Sequence, residues 1–243
     1  MKLRMQITKD RDIRFISHLE YVRTIERAIR RAKLPAAYSE GFNPHLKFSL
    51  ASALGVGVVS YTEFVEIELA EPMEVEAAAR ALDKALPRGI RVLAADAVAN
   101  NAAALMAEAA GASYVVTLPY DKDMSEAVAN YNDAVELLFK KAAPKRKEKF
   151  KEIDVKFYIP EIAVELKDGE TIFSFECKIT PTGSMKAVDL LNALNEAYAL
   201  ELPVEMADIE RHTLYKVTKK GRKVPMLNKD AVKLQYTIKI PTS

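Results

Sequence analysis

The sequence predicts an α+β protein with antiparallel sheets, built as two tandem βαββαβ units with an extra C-terminal strand. Three observations predict it. Residues 1–98 switch between two-residue and 3.6-residue hydrophobic periods in the order β-α-β-β-α-β. The same order of elements recurs after residue 112, although the residues themselves do not repeat. The last stretch, Ala231–Ile240, alternates strictly between apolar and polar residues and reads as a further strand.

In the first unit, Met1, Leu3, Met5 and Ile7 alternate with Lys2, Arg4, Gln6 and Thr8, the pattern of a half-buried strand. Asp10–Asp12 make a turn. Ser17 followed by Glu20 is a capping box and opens a helix that runs to about Lys33. Leu34-Pro35 stops it, because the residue before proline disfavours helix. Leu19, Val22, Ile25, Ile29 and Ala32 are its predicted apolar stripe. Ala36–Tyr38 and Leu46–Ala51 are extended around Gly41-Phe42-Asn43-Pro44, and Gly55 and Gly57 mark a turn. Thr62–Leu69 is a strand, Glu74–Leu86 a helix ended by Pro87-Arg88-Gly89, and Ile90–Val98 a strand. This order is the ferredoxin-like arrangement, with both helices on one face of the sheet. It predicts that the first and third strands pair, which sets Glu66 and Glu68 near Lys2 and Arg4.

Asn100–Gly111 reads as a linker between a unit at 1–98 and a unit at 112–243. The second unit is predicted to hold a strand at Ser113–Leu118 and a helix at Met124–Lys141. Extended segments follow at Ile153–Leu166 and Thr171–Thr180, around the turn at Asp168-Gly169. A helix capped by Ser184 is expected at Met185–Ala199, and a strand at Ile209–Val217.

Composition narrows the class of function. The 243 residues are 49% hydrophobic and 29% charged, an ordinary globular balance. The single cysteine, Cys177, can form neither an internal disulfide nor a thiolate cluster, which suits a reducing compartment. No secretory leader and no run of roughly 20 apolar residues is visible. A soluble, cytoplasmic protein with no membrane association is therefore expected. Three histidines without metal-ligand spacing predict no metal, and the chain has neither a phosphate-binding nor a dinucleotide-binding glycine motif. No cofactor is expected.

Charge is lopsided. Residues 1–50 hold eleven Lys/Arg and five Asp/Glu, whereas the whole chain has a net charge of only +2. On the first helix Arg23, Arg27, Arg30 and Arg31 share one face. Arginine suits phosphate because its planar fork donates two hydrogen bonds at once. An ordinary solvated face with pairs such as Glu26–Arg30 is the competing reading. The loop Tyr38-Ser39-Glu40-Gly41-Phe42-Asn43-Pro44-His45 is stiffened by Pro44 and presents His45 and Lys47, while Tyr38 or Phe42 is suited to stack on an unpaired base. A plain turn with Phe42 in the core is the alternative. His18, in the first helical turn, is the candidate for proton transfer, with His45 approaching it across one edge and Lys47 beside it. The alternative is a packing residue. Arg14, Asn43 and the residues just named make up the candidate nucleic-acid surface. Basic runs at Lys140–Lys151 and Lys219–Lys223 are either a further phosphate track or solvated loops.

The strings Arg14-Phe15-Ile16-Ser17-His18-Leu19-Glu20, Arg27-Ala28-Ile29-Arg30-Arg31-Ala32, Leu34-Pro35, Tyr38–His45 and Lys47-Phe48-Ser49 resemble the bacterial radical SAM-linked protein family, a domain of unknown function. Its members are fused to radical SAM proteins or encoded beside them, often among RNA-processing and ribosomal genes. The resemblance implies a non-catalytic partner that binds tRNA or rRNA, or presents it to a radical SAM RNA-modifying enzyme. The three-cysteine cluster motif is absent here, which agrees with a partner and not a catalyst. Tandem ferredoxin-like units with an early helical histidine are also similar to CRISPR repeat-processing endoribonucleases, which implies metal-independent cleavage by His18, His45 and Lys47. Those enzymes carry a glycine-rich loop late in the second unit, where this chain has only Gly221. A third expectation is a protein-docking subunit whose arginine face meets an acidic partner.

Overall fold

A computed structural model describes residues 1–143 and 149–234. It is a mixed α+β structure whose strand pairs are antiparallel in every register given below. Contacts divide the chain into unit 1, Met1–Ala109 with the segment from Leu214 onward, and unit 2, Ala110–Thr213.

Unit 1 begins with β1 (Lys2–Lys9). Leu3, Met5 and Ile7 are fully buried, as their alternation predicts. A short 3-10 turn at Arg11–Ile13 leads to α1 (His18–Arg31). Its start is the predicted capping box: the Glu20 N–H donates to the Ser17 hydroxyl at 3.2 Å, and the Ser17 N–H donates to the Glu20 carboxylate at 2.7 Å. The helix buries Tyr21, Ile25, Ala28 and Ile29. Leu19, assigned to the apolar stripe, is instead 56% exposed. At 100° per residue it lies about 120° around the helix from Ile25, and Tyr21 takes the inward place.

After α1 come β2 (Phe48–Leu50), β3 (Val58–Glu68), α2 (Val75–Ala85) and β4 (Val92–Val98). β1 pairs with β3 in the register Lys2↔Glu68 and Arg4↔Glu66, as expected, and with β4 on its other side. β2 pairs with β3 through Phe48↔Ile67. The strand order is thus β4-β1-β3-β2. Residues of α1 and α2 share one apolar cluster with Leu3, Met5, Ile7, Val65, Ile67 and Val92, so both helices cover the same sheet face. Gly89, at φ +92°, lies against Ile13, and an added Cβ would come within 3.0 Å of that side chain. The segment read as a linker contains one helical turn, α3 (Leu105–Glu108), with Leu105 fully buried.

Unit 2 holds β5 (Gly111–Leu118), α4 (Ser125–Asp133), β6 (Leu138–Ala142), β7 (Phe150–Asp154), α5 (Val155–Tyr158), β8 (Ile162–Lys167), β9 (Glu170–Thr180), β10 (Gly183–Ser184), α6 (Ala187–Tyr198) and β11 (Asp208–Val217), the last of which crosses into unit 1 at Leu214. β9 lies between β5 and β8. The β8–β9 turn uses positive φ at Asp168 (53°) and Gly169 (80°), the geometry that matches hairpin twist. Three predicted elements differ. The helix expected over Met124–Lys141 stops at Asp133, because Leu138–Ala142 pairs with Phe150–Asp154 and buries Phe139. A cross-strand partner distant in sequence overrides local helix preference there. Within the extended Ile153–Leu166, Val155–Tyr158 forms a helical turn capped by the Asp154 carboxylate. Ser184 is not the cap of α6: it pairs in β10, and the Asp189 carboxylate meets the Lys186 N–H at 3.4 Å instead.

The chain then forms β12 (Lys223–Pro225), which pairs with β11, and β13 (Val232–Lys233), which pairs with β4. The segment from Leu214 therefore groups with unit 1, whereas the sequence boundaries assigned all of 112–243 to a second unit. The Leu214 N–H donates to the Thr62 hydroxyl at 3.1 Å and the Met226 carbonyl accepts from Arg4 at 3.1 Å, ties that local pattern does not encode. Of the expected final strand, residues 235–240 lie outside the described residues. No described helix is long and apolar enough to cross a membrane.

Candidate nucleic-acid interface

α1 sets its arginines outward because its opposite face is committed to the core. The four arginines do not share one fate. Arg30 donates to Glu26 at 2.8 Å and to the Tyr38 hydroxyl at 3.2 Å, and its guanidinium lies 5.6 Å from the centre of the Tyr38 ring. Arg31 donates to the Ala85 carbonyl at 2.9 Å, tying the end of α1 to the end of α2. Arg23 and Arg27 are exposed and make no hydrogen bond or ion pair among the described residues. Arg23 acts only as one of several influences that hold the Glu20 carboxyl below its ordinary value, the largest being the hydrogen bond from the Ser17 backbone. Two of the four cations are thus free to meet a ligand, and Arg30 still offers an exposed face beside a tyrosine.

The loop after α1 is a narrow ladder. Ala36 bridges Leu69 and Tyr38 bridges Leu46. The Ser39 N–H donates to the His45 carbonyl at 2.8 Å, and the His45 N–H donates to the Ser39 hydroxyl at 3.0 Å. Gly41, at φ +115°, makes the reversal that a side chain would strain. Phe42 stands at the tip and is fully exposed (106%), so the reading that tucks it into the core does not hold. Asn43 and His45 are exposed beside it. Lys47 is exposed and pairs with Glu68 at 3.3 Å, a surface contact worth at most about 1 kcal/mol. Tyr38 is 46% exposed. Its bond to Arg30 joins the hairpin to the last turns of α1, so Tyr38 adjoins the face that carries Arg23, Arg27 and Arg30.

The other predicted residues are arranged differently. His18 is the first residue of α1, and its Nδ1 is buried with no hydrogen-bond partner. The rise from His18 to Arg30 is about 18 Å at 1.5 Å per residue. The Arg30–Tyr38 bond therefore ties the His45 hairpin to the end of α1 opposite His18. Arg14 places its guanidinium 4.9 Å from the centre of the Phe15 ring, while its carbonyl accepts from Lys9 and from the Gly57 N–H. In the basic run of unit 2, Lys141 is paired with Asp189 at 2.5 Å, and Lys145, Arg146 and Lys147 lie outside the described residues. No group of three or more His, Cys, Asp or Glu side chains among the described residues is placed to hold a metal. Burial pushes the Cys177 thiol up to about 11, which keeps it an unreactive core residue.

One feature of the surface escaped sequence reasoning: what supports it from the opposite sheet face. Arg4 is 1% exposed. Its guanidinium donates to Glu66 at 2.7 Å, to both oxygens of Glu108 at 2.9 Å, and to the Met226 carbonyl. Lys216 adds a contact to Glu108 at 3.3 Å. Burial works against the Arg4 cation, yet the bonds from Glu108 and Glu66 outweigh it and raise the group above its ordinary value. The bond from Arg4 holds the Glu108 carboxyl below its ordinary value against the opposing effect of burial. The face of β1 and β3 that carries this network is covered by α3 and the Met226 segment, so it is not an open platform for bases. The Arg4↔Glu66 register was visible in the sequence; the arrival of Glu108 and Met226 was not.

No curated protein matches the chain. Among solved structures it is similar to a chain of a Cbf5–Nop10–Gar1 complex, at 12% identity and a TM-score of 0.48, over 87% of this chain and 48% of that one. It therefore spans about half the length of that matched chain. It is also similar to an unknown protein from Galdieria sulphuraria, at 14% identity and a TM-score of 0.24, over 89% of this chain and 98% of that one. Neither likeness carries a function to this chain. Residues 2–197 match the model of a family described as an uncharacterized protein conserved in bacteria (DUF2344).

Proposed function

For a chain that belongs to this bacterial DUF2344 family, we propose an RNA-binding accessory role in the cytoplasm, in which the outer face of α1 and the Tyr38–Leu46 hairpin hold tRNA or rRNA for a partner radical SAM RNA-modifying enzyme. The observation that carries the RNA reading is the pair Arg23 and Arg27: exposed, without a hydrogen bond or ion pair among the described residues, and on one helix face with Arg30, which reaches Tyr38. Phosphate contact from such arginines is salt-dependent and needs no base sequence. The radical SAM partner rests on the sequence resemblance alone. In the same reading both units are diverged copies of one ferredoxin-like scaffold, supported by the order β4-β1-β3-β2 in unit 1 and the flanking of β9 by β5 and β8 in unit 2. Nothing in the placement of His18 and His45 favours cleavage over binding.

The test is fluorescence anisotropy with labelled RNA across a salt series. The double variant Arg23→Ala, Arg27→Ala is expected to flatten the slope of log K against log salt by ~1.4–1.8, from ~0.7–0.9 per phosphate contact. Its unfolding free energy should stay within ~0.5 kcal/mol of the parent, since both side chains are on the surface. An unchanged salt slope overturns the assignment of this face. Co-purification of a radical SAM enzyme that survives nuclease treatment tests the partner separately.

A further inference from the structure

The β11–β12 hairpin of unit 1 is a second charged element that the proposed surface does not include. From Leu214 to Lys229 the chain carries Lys216, Lys219, Lys220, Arg222, Lys223 and Lys229 and no Asp or Glu. The sequence allows two readings of this run, a phosphate track or a mobile solvated loop. The structure gives it a defined shape. Its strands pair as Tyr215↔Pro225, Lys216↔Val224 and Val217↔Lys223. Its turn is closed by three bonds: Thr218 N–H to the Arg222 carbonyl at 2.9 Å, Gly221 N–H to the Thr218 carbonyl at 2.8 Å, and Arg222 N–H to the Thr218 hydroxyl at 3.1 Å. Gly221, at φ +75°, is the residue that permits this reversal.

The base of the hairpin is anchored on both strands. Lys216 of β11 binds Glu108, and Met226, one residue past β12 and 2% exposed, gives its carbonyl to Arg4. The buried charge network of unit 1 therefore holds the hairpin, and the tip needs no internal partner. Lys219, Lys220 and Arg222 are exposed there, and their side chains make no hydrogen bond or ion pair among the described residues. Three cations within four residues, with no carboxylate along the hairpin, repel one another unless an anion lies between them. A pre-ordered hairpin also meets its ligand without first ordering a loop, which lowers the entropic cost of contact.

We infer that the β11–β12 hairpin is a second RNA-contacting element, whose tip residues Lys219, Lys220 and Arg222 bind backbone phosphates. It extends the RNA reading above and rests on it. Contact is with phosphates first, because the tip offers three cations and no aromatic ring for a base to stack on.

The test is the same salt series on the full chain with Lys219→Ala, Lys220→Ala and Arg222→Ala combined. The slope of log K against log salt should flatten by about 2–3, with a similar loss on RNAs of unrelated sequence. Lys219→Arg with Lys220→Arg should keep the parent slope, because the charges remain. A triple variant with the parent slope and a parent-like melt overturns the hairpin assignment, while a flattened slope in Arg23→Ala, Arg27→Ala leaves the α1 reading standing. A parent protein that binds no RNA at any salt overturns both.

Discussion

Replacing Arg4 with alanine is expected to destabilise unit 1 by ~3–5 kcal/mol at neutral pH, the usual cost of removing one partner from a buried ion pair. The substitution removes the cation that Glu66 and Glu108 share and leaves the Met226 carbonyl without its donor. Glu66 retains Lys2 at 3.7 Å, and Glu108 retains Lys216, but both remain largely buried. The pH dependence distinguishes charge loss from simple loss of packing. The Glu108 carboxyl is held below its ordinary value, first by the bond from Arg4. A depressed folded value means that its contribution is fully present above the ordinary carboxylate range and fades as pH falls through the folded value. Without Arg4 the buried carboxylates escape their penalty by taking up protons. The gap between parent and variant in urea unfolding should therefore be widest near pH 7 and narrow toward pH 4. A gap of equal size at both would mean that packing, not charge, accounts for the loss. The Lys219–Arg222 tip should keep part of its contribution to the salt slope, because the Arg4–Met226 tie is gone while Lys216 still holds Glu108.

Tyr21→Ala is expected to cost ~3–5 kcal/mol, the range for deleting a buried aromatic ring. Tyr21 is 1% exposed and fixes α1 against β1 by donating to the Thr8 carbonyl at 2.7 Å. Tyr21→Phe keeps the ring and loses the bond, which leaves a buried carbonyl short of a donor and should cost ~1 kcal/mol. The two variants also separate scaffold from surface. Tyr21→Ala should weaken RNA binding only in step with unfolding, whereas Arg23→Ala, Arg27→Ala should weaken it in a fully folded protein. A Tyr21→Ala protein that melts like the parent would show that α1 does not depend on this contact.

Much of unit 1 was legible because its signals are local. The capping box at Ser17 and Glu20, the alternation of Met1–Thr8 and the stop at Leu34-Pro35 each place an element through neighbours a few residues apart. The β1–β3 register followed from element order, and with it the meeting of Arg4 and Glu66. The candidate surface was legible as a set of residue types, not as a geometry. Arg30 and Arg31 look equivalent to Arg23 and Arg27 in the sequence, yet the first two are committed to Tyr38, Glu26 and the end of α2. His18 and His45 look close because a helix start and a strand-connecting loop can share one edge of such a sheet; the hairpin is tied to that helix's far end through Arg30 and Tyr38. In unit 2 the strand β6 reads as the end of a helix, since Val135–Lys141 has acceptable helix formers and its strand partner lies beyond residue 149.

The sequence by itself determined the basic amphipathic helix, the stiff Gly41–Pro44 turn and the run of cations from Lys216 to Lys229, because propensity, capping and charge are properties of short segments. Only the tertiary structure decided which of those charges are free. The C-terminal segment rejoins unit 1, brings Met226 and Lys216 to the network around Arg4 and Glu108, and so turns the Lys219–Arg222 run from a basic stretch into an anchored hairpin. The physical reason is that buried ion pairs and strand pairing join residues separated by 100 or more positions, as Arg4–Glu108 and Arg4–Met226 are, and no local pattern carries that information.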